Sequence, residues 1–278
     1  MADPTPAGST PSVAVVRDDS LYSVPLSRTV RLDILLPPGY DKTAITYPLL
    51  LLNDGQDIPR LRLTDVLDSL YDQQAIRPFV LVAMHANADR IQEYGTAAQP
   101  DYMKRGSKAA LYTDFVLTEL LPYIHKHYRV TSDPAETAFA GFSLGGLSAF
   151  DIAFHHPDRF GKAGVFSGSF WWRSKKFNSA YDDETDRIMH DLVRKGKHNP
   201  SQRFWFQTGT LDEDSDRNNN GVIDSIDDTL DLIRELEKKG YIRDNQGVRY
   251  VEVEGGHHDP ETWGRVMPDF LTWAFGPK

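Results

Sequence analysis

Gly141-Phe142-Ser143-Leu144-Gly145, with a further glycine at Gly146, flanks a hydroxyl with small residues two positions to either side. The chemistry this spacing serves is nucleophilic attack on a carbonyl. A tight strand-to-helix turn exposes the serine hydroxyl at the end of a strand, and the glycines let that turn close without clashes. The backbone N–H of Leu144, opening the next helix, is then placed to stabilise an oxyanion. Apolar Ala138-Phe139-Ala140 before the turn and Leu147-Ser148-Ala149-Phe150 after it supply the strand and the helix.

A serine nucleophile needs a base and an acid, arriving in that fold in the chain order Ser, Asp or Glu, His. Gly255-Gly256-His257-His258 follows the apolar alternation Val251 to Glu254. His257 is the preferred base, because two small residues before it let the chain turn toward the sheet edge; His258 is the alternative. The other histidines read as solvated helix faces (His125, His127, His190), a helix end (His155, His156) or loops (His85, His198). For the acid, the strand Phe204 to Thr208 leads into Gly209-Thr210-Leu211-Asp212. Asp212 is the first choice, to accept the imidazole Nδ1–H and fix its tautomer; Glu213 competes and Asp214 follows. A second oxyanion donor is expected from Asn53-Asp54-Gly55-Gln56, as the N–H of Gln56 or Gly55.

Twelve residues from Asp216 to Asp227 match a calcium loop. Oxygen-bearing side chains Asp216, Asn218, Asn220, Asp224 and Asp227 fall at positions 1, 3, 5, 9 and 12, with Gly221 at the sharp turn and Ile223 at the apolar position. The carbonyl of Val222 would be a further ligand, and Asp224 would act directly or through water. A solvated acidic loop is the plainer alternative. A structural Ca2+ here would order the loop carrying the acid, four residues upstream, without touching the reacting carbonyl.

These groups need a scaffold that brings strand ends together. Strands and helices alternate from about Thr29, the pattern of a mostly parallel sheet covered on both faces. Strands are expected over residues 30–36, 47–52, 79–84, 137–142, 161–167, 203–208 and 248–253. Helices are expected over 61–71, 109–128, 144–154, 225–239 and 260–275. Residues 169–201 interrupt the rhythm with mixed aromatic and charged side chains and read as a small cap insertion, with a helix near 185–194. Residues 1–14 read as a flexible Pro/Ala/Gly/Ser/Thr leader, without the basic and apolar regions of a signal peptide. The remainder, 15–278, forms one catalytic domain.

The 278 residues are 40% hydrophobic and 26% charged, and no apolar run approaches the length of a membrane span. A net charge of −9 argues against nucleic acid or an anionic membrane as partner. Seven acidic side chains and one arginine lie between Asp212 and Asp228, so much of that charge sits in one segment. Cysteine is absent, which removes disulfides and thiol chemistry.

Several segments together resemble one family. They are Leu35-Leu36-Pro37-Pro38-Gly39-Tyr40, Asn53-Asp54-Gly55-Gln56, Glu119-Leu120-Leu121-Pro122-Tyr123-Ile124, Ala140 to Gly146, His156-Pro157-Asp158-Arg159-Phe160, Ser167 to Trp172 and Gly256-His257. From about Thr29 to Phe275 the chain resembles the α/β-hydrolase group that includes esterase D, enterochelin esterases and feruloyl or acetylxylan esterases. The resemblance implies the α/β-hydrolase fold, with Ser143, His257 and a carboxylate near Asp212 as the triad. It also implies that Phe170, Trp171 and Trp172 lie near the substrate pocket, core packing being the alternative. Arg90 and Glu93-Tyr94, in a segment that often borders such sites, read as a structural ion pair. The expected activity is ester hydrolysis on a small-molecule or saccharide substrate, with a feruloyl or acetyl ester of a carbohydrate favoured over a siderophore lactone. Acyl transfer is the nearest rival, and a calcium-dependent binding protein on a hydrolase fold the non-enzymatic one. Calcium at extracellular concentrations would suit a secreted or periplasmic enzyme.

Overall fold

A computed structural model describes residues 12–244 and 247–277. Most of the leader expected at the N-terminus lies outside these residues.

Eight strands form one sheet: β1 (Ala14–Ser23), β2 (Arg28–Leu36), β3 (Leu49–Asn53), β4 (Val80–Met84), β5 (Thr137–Phe142), β6 (Lys162–Phe166), β7 (Arg203–Leu211) and β8 (Val248–His257). Their order is β1-β2-β4-β3-β5-β6-β7-β8. β2 pairs antiparallel with β1 and β4, and every pairing from β4 onward is parallel. The helices are α1 (Ile58–Leu61), α2 (Leu63–Asp72), α3 (Arg90–Glu93), α4 (Ala109–Asp114), α5 (Leu121–His127), α6 (Leu144–His155), α7 (Asp183–Asp186), α8 (Ile188–Lys195), α9 (Asp224–Lys239) and α10 (Pro260–Phe275). This is the expected α/β architecture, a mostly parallel sheet with helices on both faces.

Side-chain alternation explains the two-sided burial. Along β3, Leu49 and Leu51 join the core beneath α6, α8 and α9, while Leu50 and Leu52 join the one beneath α2 and α10. β5 divides likewise, Phe139 to the first face and Ala138, Ala140 and Phe142 to the second. A strand buried on both faces has no polar position to spare, which is why these segments are apolar runs. Each buried Leu or Phe contributes about 1.5–3 kcal/mol.

Some features departed from the sequence expectation. β1 was not anticipated: its Arg-Asp-Asp run lacks clean alternation, and its register shifts between Val16 and Asp19. The long helix expected over 109–128 is α4 and α5 joined by a π-helical stretch, Phe115–Leu120. In the 169–201 segment, the expected helix is α8, preceded by the short α7. His190, expected on a solvated face, is buried, with Nε2 2.8 Å from the Asp228 carbonyl.

Candidate active site

Ser143 stands between β5 and α6 with φ 55° and ψ −123°. A non-glycine residue rarely holds a positive φ, and such strain persists only where the surroundings impose it. Here the turn is braced on each side. Ser143 N–H donates to the Phe166 carbonyl on β6 at 2.9 Å, and Leu147 N–H donates to the Ser143 carbonyl at 3.1 Å. The turn is also too tight for side chains: a Cβ on Gly141 would lie 2.4 Å from the Gly145 oxygen. Leu144 opens α6, where the first N–H groups have no intrahelical acceptor.

The loop after β3 closes over the start of α6. Asn53 Nδ2 donates to the Gly145 carbonyl at 2.8 Å, and Tyr112 hydroxyl holds Asn53 Oδ1 at 2.5 Å. A Cβ on Gly145 would meet Asp54 Oδ2 at 2.5 Å. Gly55 and Gln56 are thereby brought beside the serine turn, on the 3-10 turn Gly55–Asp57. Gln56 is pinned through its side chain, Nε2 donating to Asp54 Oδ1 at 3.0 Å and Oε1 accepting from Ala86 N–H at 3.1 Å.

Arg90 is what the sequence reading placed differently. It does not pair with Glu93; its Nε and Nη2 grip the two oxygens of buried Asp54 at 2.7 and 2.8 Å, and Nη2 reaches the Phe142 carbonyl at 3.3 Å. Glu93 pairs with Arg28 instead, at 2.7 and 2.6 Å. The spacing Arg-x-x-Glu on one helical turn suggested a local pair, but Glu93 takes its partner from β2 and Arg90 from the loop after β3.

Asp212 sits just beyond β7 and is 9% exposed. Its Oδ2 accepts from Gly209 N–H at 3.0 Å and its Oδ1 from Ser167 hydroxyl at 3.1 Å. Ser167 in turn accepts from Trp263 Nε1 at 3.0 Å, tying the carboxylate to α10. Burial pushes the Asp212 carboxyl up, while the Gly209 and Ser167 donors and His258 pull it down.

His258, and not the expected His257, is the histidine in the field of Asp212. Burial depresses its pKa below 6.5; Asp212 draws it back up, Arg90 pushes it further down and Asp259 raises it. The ring meets Trp263 edge to face at 5.3 Å. His257 is the last residue of β8, paired across to Leu211, with its N–H donated to Thr262 Oγ1 at 3.0 Å; both His257 and His258 are exposed residues. Neither ring hydrogen-bonds Ser143, whose hydroxyl lies 3.3 Å from that of buried Ser169. Catalytic hydrogen bonds commonly tighten only when substrate arrives. Glu213 makes no hydrogen bond to either histidine: its Oε1 is buried without a partner, and Asp214 is exposed.

The three expected substrate aromatics separate. Phe170 and Trp172 are fully buried, Phe170 edge-on to Phe150 and Phe206, Trp172 against Gly95 and Gly106. They are core residues, Phe170 packing on Phe150 of α6 and Phe206 of β7. Trp171 alone of the three keeps an accessible ring and lines a cavity.

The expected calcium loop folds into a closed turn ahead of α9. Asp227 Oδ2 accepts from Asn218 Nδ2 at 3.1 Å and Asn220 Nδ2 at 2.7 Å; Asp216 accepts from the N–H groups of Asn220 and Gly221 at 3.1 and 2.9 Å. Gly221 takes φ 84° at the sharp turn. Positions 1, 3, 5 and 12 therefore meet, and rotating two amides would turn carbonyl oxygens toward the shared centre. Asp224, at position 9, is held by Arg217 through its N–H at 3.0 Å and Nη1 at 3.1 Å. Among the described residues no group of three or more Asp, Glu, His or Cys side chains is gathered for a metal; the loop offers two carboxylates and two amides.

A family model described as "Putative esterase" matches residues 23–274. The chain is 22% identical over 250 residues to uncharacterized protein YbbA of Bacillus subtilis (strain 168), covering 88% of this chain and 92% of that one. It is 36% identical over 140 residues to iron(III) enterobactin esterase of Escherichia coli (strain K12), covering 48% of this chain but only 31% of that enzyme. Among solved structures, a ferulic acid esterase superposes with a TM-score of 0.71 at 21% identity, covering 95% of this chain and 98% of that one. The Shigella flexneri enterobactin esterase superposes with a TM-score of 0.71 at 21% identity, covering 98% and 63%. At these identities the structural likeness carries the fold, while the family match covers nearly the whole chain: it belongs to this esterase family and is an ester-hydrolysing enzyme.

Proposed function

We propose that the chain hydrolyses carboxylic esters through an acyl-enzyme on Ser143, with His258 as base and Asp212 as acid. The observation that carries this reading is the strained Ser143 turn at the end of β5, with a buried carboxylate at the end of β7 that interacts with the charge of His258. His258 takes the hydroxyl proton as Oγ attacks the ester carbonyl. The N–H groups of Leu144 and Gln56 receive the oxyanion. The alcohol departs with the proton from His258, which then activates water to release the acid. Asp212 stabilises the imidazolium at each transfer.

The substrate class favoured is a feruloyl or acetyl ester linked to carbohydrate, with Trp171 as the stacking surface. A siderophore lactone is the second reading, supported by the identity to enterobactin esterase over half the chain. Acyl transfer by the same residues would show as a sugar acceptor outcompeting water. A Ca2+ ion held by Asp216, Asn218, Asn220, Asp227 and the Val222 carbonyl would be structural; a binding protein without catalysis would leave the serine unreactive.

A fluorophosphonate probe should label Ser143, and Ser143→Ala should abolish both labelling and p-nitrophenyl acetate turnover. His258→Ala should lower turnover by about 10³-fold or more, whereas His257→Ala should retain most of it. The opposite ranking of the two histidines would return His257 to the role of base. Methyl ferulate turnover well above p-nitrophenyl acetate would favour the feruloyl class.

A further inference from the structure

A cavity of about 530 Å³ opens past the ends of β6 and β7; Ser143, Asp212 and His258 are not among its lining residues. Its wall includes Trp171, two residues beyond Ser169, and Glu213, one beyond Asp212. Three arginines line it, and two are neutralised. Arg105 is gripped by Asp101, Nε at 2.7 Å, while it stacks 4.8 Å above Trp171. Arg217 meets Asp183, Asp224 and Asp228.

Arg173 is the exception. Its guanidinium lies 5.5 Å from the Tyr102 ring centre and 5.8 Å from that of Tyr181. No carboxylate or carbonyl among the described residues pairs with it, and its Nε is buried with no hydrogen bond. A buried donor left unmatched costs about 1–3 kcal/mol, so such groups are rare in native proteins and call for a partner. The acids of the same wall do not supply it. Asp224 is committed to Arg217 and Asp216 to its own loop's N–H groups, and Glu213 makes no ion pair with Arg173.

We propose that this cavity is a substrate subsite for an anionic group carried on an aromatic ring, with Arg173 as the charge-reading residue and Trp171 and Tyr102 as the stacking surfaces. A planar guanidinium between rings suits a carboxylate held in two charge-assisted hydrogen bonds. This deepens the ester-hydrolase reading and rests on it. The chemistry fixes the charge and the ring; whether they sit on the acyl or the alcohol side is separated by the probes.

Two pairs of esters test it: methyl cinnamate against methyl 4-carboxycinnamate, and benzyl acetate against 4-carboxybenzyl acetate. The wild-type enzyme should favour the carboxylated member of one pair at least tenfold in kcat/KM. Arg173→Gln should bring that ratio near one, and Arg173→Lys should keep part of it. Calorimetry with the Ser143→Ala protein provides a readout independent of turnover: 4-carboxycinnamate should bind at least tenfold more tightly than cinnamamide, and adding Arg173→Gln should erase the difference. No preference in either pair, or a preference surviving in a folded Arg173→Gln protein, overturns the subsite. Retained hydrolysis by Ser143→Ala alongside Arg173-dependent binding would instead sink the catalytic assignment and leave the subsite standing.

Discussion

The proposed base is held among opposed influences. Burial and Arg90 disfavour the imidazolium of His258, Asp212 and Asp259 favour it, and the net displacement is below 6.5. A histidine acts as base only when neutral, so kcat/KM should fall as pH drops through this depressed value. The acid limb is therefore expected below pH 6.5, and Asp212→Asn should move it lower still while cutting kcat by about 10⁴-fold. A pH profile on both proteins checks this; a wild-type limb at or above 6.5 would contradict the arrangement. The tight turn at Ser143 was legible from sequence because the glycines that let it close, Gly141, Gly145 and Gly146, lie within three residues of it. Which of His257 and His258 interacts with Asp212 was not, because it depends on where β8 stops. Side chains alternate along a strand, so an offset of one residue moves a ring from one face to the other. β8 continues through His257, so His258 is the first residue beyond the strand, and it is His258 whose charge acts on Asp212.

Strand ends, more than helices, set the geometry of the site. β7 and β8 touch at two glycines: a Cβ on Gly209 would lie 2.3 Å from the Gly256 oxygen and 3.0 Å from Asp212 Oδ1. The first neighbour is backbone and cannot swing aside. Gly209→Ala should therefore part the strands at the point where Gly209 N–H holds Asp212, costing about 1–3 kcal/mol and lowering kcat well beyond any change in KM. Urea unfolding together with turnover measures both, and an unaltered pair of values would mean the close approach is dispensable. Continuous apolar runs made β3, β4 and β5 easy to anticipate, since burial on both faces leaves one composition available. The aromatic run Phe170-Trp171-Trp172 carried no such signal. Which of three adjacent rings stays accessible depends on how the chain crosses α6, a tertiary matter that spacing does not encode.

At the scale of the whole molecule, the segment from Asp212 to Asp228 joins three parts. Arg217, within the expected calcium loop, and Arg187, just before α8, converge on Asp228 of α9, which is 0% exposed. Removing one partner of such a buried pair commonly costs 3–5 kcal/mol, because the remaining charge stays buried. The loop is thus fastened to the 169–201 segment, and Asp216, Arg217 and Asp224 share the cavity wall with Trp171 and Arg173. A cation seated among Asp216, Asn218, Asn220 and Asp227 would brace that wall and the strand end bearing Asp212. Binding only to the folded state, it would add about 2.7 kcal/mol at a hundredfold excess over Kd, several degrees in Tm for a chain of this size. Exhaustive EDTA treatment should accordingly lower Tm and raise KM, with Ca2+ but not Mg2+ restoring both, since Mg2+ demands a tighter octahedral site. Asp227→Ala should abolish the response to Ca2+ while leaving the Ser143 label intact. Unchanged Tm and activity after EDTA would leave the segment a solvated acidic loop held by Arg217 and its own hydrogen bonds.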